Sequence, residues 1–292
     1  MTAETAPAIP GQRHRTAERR ARVAQLPWWA FILIALGILL TYLILADLEY
    51  RDTFAFLIEG IKVTLRMTLT AFSIALVIGL IIGLGRTSKN PVVFTLATLY
   101  VETARGIPLI VLMLYVAFVL VPGAVAGLNA LGGWGLGFAK SGPLLGLFQG
   151  LADFSIRQVN MELRAIFALS IGYGAFEAEV FRAGIQSIGR GQMEAARSLG
   201  MTYFQAMRFI ILPQALRRIL PPLGNDFIAM LKDSSLATVL AVREITQLGR
   251  LRRASTFRTF EVFNVVSFLY LAMTMMLSAV VRVLEQRMRI EE

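Results

Sequence analysis

The sequence predicts an all-α membrane protein of about six transmembrane helices with a short helical element on the cytoplasmic face. Three observations carry that expectation. First, of 292 residues 56% are hydrophobic and only 16% charged, whereas a soluble domain uses about a quarter charged residues. Second, the mean hydropathy of +0.65 is concentrated in blocks close to the ~20 residues that cross a bilayer, which excludes a soluble domain on a single anchor. Third, the 29 Lys and Arg against 19 Asp and Glu fall largely at the ends of these blocks, as basic cytoplasmic flanks do, so nucleic acid is not an expected partner.

Composition removes several kinds of chemistry. With no cysteine there is no disulfide framework, thiol nucleophile, iron-sulfur cluster or thiolate zinc site. The one histidine, His14, lies in a basic tail, so a transition-metal centre is not expected. No Gly-x-x-x-x-Gly-Lys-Ser/Thr string is present, so nucleotide is not bound by that loop and any energy must come from a partner or a gradient. No catalytic residue and no cofactor is predicted.

Residues 1–27, with Arg13, Arg15, Arg19, Arg20 and Arg22, read as a disordered cytoplasmic tail. The run from Trp28 to Ala46 is longer than a signal-peptide core and lacks a small-x-small cleavage site, so it reads as an uncleaved helix that, with its flank, covers 28–48. The arginines before it and Asp47, Glu49 and Asp52 after it place the N-terminus inside. The chain's further spans are expected over 60–285. Its second span runs from about Ile61 to Gly85 and ends in the basic, breaker-rich turn Arg86–Pro91. Val92–Val121 reads as one long kinked span, interrupted by Glu102, Arg105, Gly106 and Pro108. Residues 122–160, Gly-rich and poor in charge, suit an extracytoplasmic loop near the membrane. A fourth span covers Glu162–Ile185. The Arg-rich stretch 186–221, too polar to span, ends at Pro221 and Pro222. Leu223–Val242 makes a fifth span, the basic segment 243–261 is read as an outer loop, and Val262–Val281 spans last, leaving 286–292 as a cytoplasmic end.

Within the cytoplasmic stretch 187–213, Gln192–Gly200 is a run of helix formers closed by a glycine where a left-handed residue is wanted. Thr202 and Gln205 have capping-box spacing and start a second helix, which stops at Pro213. The apolar Met193, Ala196, Leu199, Met201 and Phe204 exceed what a solvated loop needs. The residues alone leave two readings open: docking into a partner, or packing on lipid headgroups.

Glu194-Ala195-Ala196, three residues, Gly200, nine residues, then Ile210-x-Leu212-Pro213 resembles the EAA loop of ABC importer permeases, with every fixed spacing met. Arg105-Gly106-Ile107-Pro108-Leu109, Asn225 and Lys232-Asp233-Ser234-Ser235-Leu236 extend the likeness to the polar amino acid branch, similar to histidine, glutamine and arginine permeases. The likeness covers roughly 60–285. Ile107, Leu112, Phe176 and Gly189 stand where the branch often has other residues, and the first three, near the expected pore, bear on substrate identity. The resemblance implies a permease in a bacterial plasma membrane with both termini cytoplasmic. Its implied partners are two ABC ATPase subunits, a second permease copy or paralogue, an extracytoplasmic solute-binding protein and a polar amino acid. It further implies alternating access, with Glu194 on the ATPase surface and Gly200 allowing the sharp turn.

Charges inside spans are expensive and should face protein or water. Glu102 with Arg105, and Glu179 with Arg182, are spaced i,i+3 and fit mutual neutralisation. Arg105 and Arg182 fall nearer the cytoplasmic ends, while Glu179, Lys232 and Asp233 fall deeper. Arg105, Gly106, Pro108, Glu179, Arg182, Asn225, Lys232, Asp233, Ser234 and Ser235 are the candidate pore residues. A secondary transporter would want inverted repeats and broken helices in both halves, and 194–213 has no second copy. A membrane enzyme would need a nucleophile or metal cluster that this composition lacks.

Overall fold

The computed structural model describes residues 28–139 and 141–288, largely helical with no strand among them; the expected tail 1–27 and the last four residues lie outside these. The described residues divide into two units, one up to Arg51 and one from Asp52 on. In the first, α1 (Trp28–Ala46) has apolar residues around its whole circumference, as a helix in lipid does.

α2 (Leu48–Gly85), most of which belongs to the second unit, begins well before the expected Ile61. At 1.5 Å per residue its 38 residues extend about 57 Å, so the charged part before Lys62 projects beyond a hydrocarbon core of about 30 Å. Asn90 caps α3 (Pro91–Gly106) by accepting from the amides of Val92 and Val93. The chain breaks at Ile107, extended at φ −98° and ψ 132°, as a residue before proline favours, and resumes as α4 (Leu109–Leu136). The kink expected in this segment is there, but the helix runs fifteen residues past Val121. The segment read as a loop over 122–160 is an antiparallel hairpin of α4 and α5 (Pro143–Ala152). Two glycines permit it: a Cβ on Gly132 would fall 2.3 Å from the Ala152 amide nitrogen, and one on Gly135 inside the Phe148 ring. Asn129 then donates to the carbonyls of Leu151, Ala152 and Phe154 that end α5.

Asn160 caps α6 (Met161–Gln186), which matches the expected fourth span and is the centre of the fold: 14 of its 26 residues are buried. α3 and α4 lie along one side of it and α9 along another. After α7 (Arg190–Ser198), the turn α8 (Tyr203–Ala206) leads through a π segment, Met207–Ile211, into α9 (Leu212–Asp233) and a 3-10 stretch, Ser234–Leu240. Pro213 therefore does not stop the second helix, and the helix that carries the expected fifth span already begins at Leu212.

The reason recurs in α4. There the π segment Val116–Leu120 directly precedes Val121-Pro122, as Met207–Ile211 precedes Leu212-Pro213. The amide before each proline bonds five residues back, Val121 to Val116 and Leu212 to Met207. The widened turn accommodates a ring that would otherwise clash with the carbonyl four residues earlier. In α4 this orphans the Ala117 carbonyl, because the residue five ahead is Pro122. The guanidinium of Arg164, buried in α6, donates to that carbonyl at 3.0 Å and to the carbonyls of Val159 and Ile156.

The segment 243–261, read as a loop, contains α10 (Ile245–Thr256), whose N-cap Glu244 is fully buried. The Glu244 carboxylate accepts from the amides of Thr246 and Gln247 and from the Tyr270 hydroxyl, each at 2.7 Å. Tyr270 lies on α11 (Thr259–Met288), so one carboxylate joins α10 to α11, and Gly60 lets α2 approach the Ile245 backbone.

Among the described residues three helices are long and apolar enough to cross a membrane: Leu48–Gly85, Leu109–Leu136 and Thr259–Gln286. α6 and α9 also reach spanning length, but they carry in-helix charges that only a protein or water environment tolerates.

Candidate coupling element and translocation cavity

The candidate coupling element is built from local rules. α7 ends in paired backbone bonds, Met201 N to Ala196 O at 3.1 Å and Gly200 N to Arg197 O at 3.0 Å. These are the two bonds of a Schellman ending, and Gly200 occupies the left-handed position at φ +79°. Two residues later Thr202 accepts from the Gln205 amide while Gln205 Oε1 accepts from the Thr202 amide, the capping box that the spacing predicts. Two helices thus meet at an abrupt corner, with glycine at the one left-handed position.

Ala196 and Ala206 are buried on the inner side. Glu194, Ala195, Gly200, Leu212 and Pro213 are exposed and Ile210 half-buried. On the outer side Leu199 is 82%, Phe204 78% and Phe209 64% exposed. So dense a group of large apolar side chains on an element tethered at both ends by α6 and α9 is a surface suited to burial against another protein.

Between α3, α6 and α9 lies a cavity of about 440 Å³ whose walls include Arg105, Phe176, Glu179, Arg218 and Asp226. The Arg105 guanidinium sits 5.3 Å from the centroid of the Phe176 ring, a cation–π contact, and does not pair with Glu102 as the spacing suggests. Glu102 instead faces Arg86 at 3.7 Å. The expected pair of Glu179 with Arg182 is present, and Arg86 joins it at 2.8 Å. Arg86 closes α2, so Glu179 lies level with that turn rather than deeper, and its carboxylate is met by two guanidinium groups. Arg182 also donates to Gln186.

The other candidate residues divide by position. Gly106 and Pro108 are exposed at the α3–α4 break, and Asn225 is exposed beside Asp226 on α9. Two turns further on, Lys232 is exposed while Asp233 accepts from the Tyr173 hydroxyl at 2.7 Å. Ser234 is buried and donates to the Leu231 carbonyl, and Ser235 is half-buried. The cavity thus gathers Arg105 and Glu179, with Arg182 bonded to Glu179 beside it, and leaves the Lys232–Ser235 group further along α9. Sequence reasoning missed Arg218 and Asp226; the available signal was an acid within a mostly apolar helix, three residues after Leu223. Among the described residues no three potential metal ligands converge.

Residues 75–290 match the family of binding-protein-dependent transport system inner membrane components. The chain belongs to that family. It is 34% identical over 234 residues to the glutamine transport system permease protein GlnP of Escherichia coli K12, covering 80% of this chain and 93% of that protein. It is 32% identical over 234 residues to the nopaline transport system permease protein NocM of Agrobacterium fabrum C58, covering 80% and 88%. Among solved structures, an amino acid ABC transporter crystallised with histidines superposes with a TM-score of 0.64 at 33% identity, over 83% of this chain and 97% of that one. The inward-facing methionine transporter MetNI shares the fold, at TM-score 0.60 and 20% identity over 80% and 97%.

Proposed function

We propose that this inner membrane component is the permease subunit of an ATP-driven importer of polar amino acids, working by alternating access. The observation that carries the reading is the corner at Gly200, where two short helices present Leu199, Phe204 and Phe209 to the outside and connect directly into α6 and α9, the helices that wall the cavity. A partner ATPase closing on this element would move both walls as rigid bodies. Two ATPase subunits, a second copy or paralogue of this chain and an extracytoplasmic solute-binding protein complete the assembly, and both termini face the cytoplasm. The charged but uncrowded cavity, with Arg105 and Arg218 on its walls and Asp226 beside them, supports a zwitterionic cargo.

The test is purification of the tagged full chain from its native membrane. An ATPase should be retained, with hydrolysis stimulated by a solute-binding protein loaded with amino acid. Gly200→Val, which forces a β-branched residue into a left-handed position at a cost of about 1–2 kcal/mol, should insert normally but lose retained ATPase. In the natural cysteine-free background, a cysteine at Lys140 should react with an impermeant reagent from outside, and one at Met201 only from inside. Amino acid uptake by the chain alone, driven by an ion gradient, would sink the reading in favour of a secondary transporter.

A further inference from the structure

Neither the cavity nor the coupling corner uses the hairpin of α4 and α5, and its surface is unlike that of a loop in water. Between Arg105 and Asp153 the sole charged residue is Lys140, which the sequence places between the two helices. Leu131 and Trp134 share a face of α4, and Phe138, just past its end, meets the Trp134 ring edge to face at 4.8 Å. α5 buries no residue and presents Leu144 and Leu147. All five of these side chains are more than half exposed.

The two feet of the hairpin are tied to one point. Arg164, in the first turn of α6, donates to the Ala117 carbonyl on the way in and to the Ile156 and Val159 carbonyls on the way out. Length then decides where the rest lies. α3 rises about 24 Å over its 16 residues and Leu109–Leu120 adds about 18 Å; end to end they use up the thickness of a bilayer with its headgroups. Val121–Leu136 therefore lies past the hydrocarbon core unless α4 turns, and the π segment ahead of Pro122 is the place where such a helix bends.

Two observations say what covers the hairpin. A face that receives a soluble protein has a polar, charged rim, and this one has no charge along either helix. Its backbone is also closed from within: the Asn129 side-chain amide donates to the carbonyls of Leu151, Ala152 and Phe154, groups at a helix end that water would otherwise serve and that lipid cannot.

We propose that the α4–α5 hairpin is a membrane anchor embedded in the outer leaflet, with lipid over Leu131 and Trp134 on α4 and over Leu144 and Leu147 on α5. Trp134 suits the boundary between headgroups and acyl chains. Through Arg164 the hairpin holds the outer end of α6 against the bilayer, opposite the end that joins the coupling corner. The choice of leaflet rests on the reading in which both termini are cytoplasmic; burial in lipid does not.

The chain has no cysteine, so single nitroxide labels can be placed on the full chain in nanodiscs of phosphatidylethanolamine and phosphatidylglycerol. Labels at Leu131 and Leu147 read the hairpin. Exposed Ile38 on α1 serves as the lipid reference and exposed Lys89, in the turn between α2 and α3, as the water reference. Each label is tested for collision with oxygen, which dissolves among acyl chains, and with a water-soluble nickel chelate. At both hairpin sites the oxygen-to-nickel ratio should lie nearer to that of Ile38 than to that of Lys89. A ratio nearer to Lys89 at either site would put the hairpin in water, open to a binding protein. Shielding from both reagents at either site would mean that protein covers it, a second copy of the chain included. Each of these results overturns the proposal. Leu144 replaces a site whose labelled variant is not monodisperse. A cysteine at Lys140 that reacts only from inside would overturn the outer-leaflet placement, and absence of an ATPase partner would sink the permease reading without moving these ratios.

Discussion

α6 and α11 are both long enough to cross a bilayer, yet they use their side chains in opposite ways. α6 carries Glu162, Arg164, Glu177, Glu179 and Arg182 and still buries 14 of its 26 residues. In α11, only 22% of the most apolar window is buried in the protein. In water the buried helix would be the apolar one. In lipid the apolar face is the one turned away from the protein, because hydrocarbon solvates leucine and protein alone can supply partners for charge. Hydropathy along this chain therefore reports exposure to lipid, and the functional helices are the ones it marks weakly. α6 has Arg164 bonded to three carbonyls and Glu179 between two arginines; each charge is tolerated because a neighbouring helix supplies its counterpart.

The sharpest way to break this comparison is the same substitution in each kind of helix. Gly184→Val on α6 drives a side chain into Ile219 at a position with no slack. Such overpacking costs about 1–3 kcal/mol or more, and most of the protein should fail to reach a monodisperse state in detergent. Gly37→Val on α1 meets nothing within 4 Å and should match the natural chain in yield and melting temperature. Equal damage at both sites would mean that α1 is covered by protein after all.

A smaller effect is expected at the ion cluster. Glu179→Gln keeps the shape but strands Arg86, whose side chain is 13% exposed, and Arg182, at 27%; the loss is about 1–3 kcal/mol, read as a lowered melting temperature. Adding Arg182→Gln should recover part of it, since Arg86 still has Glu102 within 3.7 Å. Uptake normalised to membrane abundance then separates roles: full transport by the double variant would exclude Glu179 as a substrate contact, and loss without instability would restore it.

What was legible in the sequence follows the same division. The Gly200 corner and the Thr202–Gln205 box obey rules that span at most six residues, and both were readable without the rest of the fold. The α6 limits were readable because Asn160 caps one end and polar residues follow the other. Pro213 was misread because a proline stops an α-helix only when the turn before it is α-helical, and nothing local announces the π segment Met207–Ile211. The hairpin of α4 and α5 was unreadable because Gly132 and Gly135 serve contact with residues 13 to 20 positions away, yet in sequence they look like loop glycines. The partner of Arg105 was set by Phe176 on another helix, outside what i,i+3 spacing can describe. Asp226 carries no motif, and its place on the cavity wall comes from the packing of α9 against α6.

The smallest expected effect tests whether the coupling element belongs with the rigid core or apart from it. Thr202→Ala removes the hydroxyl that accepts the Gln205 amide, and loss of such a cap costs about 1 kcal/mol. No residue of the α6–α9 seam touches that hydroxyl, and α8 continues without interruption into α9, so the cost falls on fraying of one exposed turn. The melting temperature and the membrane abundance should therefore stay at the natural values. What should change is the fraction of time the corner holds the shape that an ATPase grips, and with it the binding-protein-stimulated hydrolysis, lowered by about fivefold at most. Thr202→Ser keeps the acceptor and should restore the rate. A melting temperature lowered as much as by Glu179→Gln would instead show that the corner is part of the core, and that the division drawn between a packed centre and a hinged peripheral element is wrong.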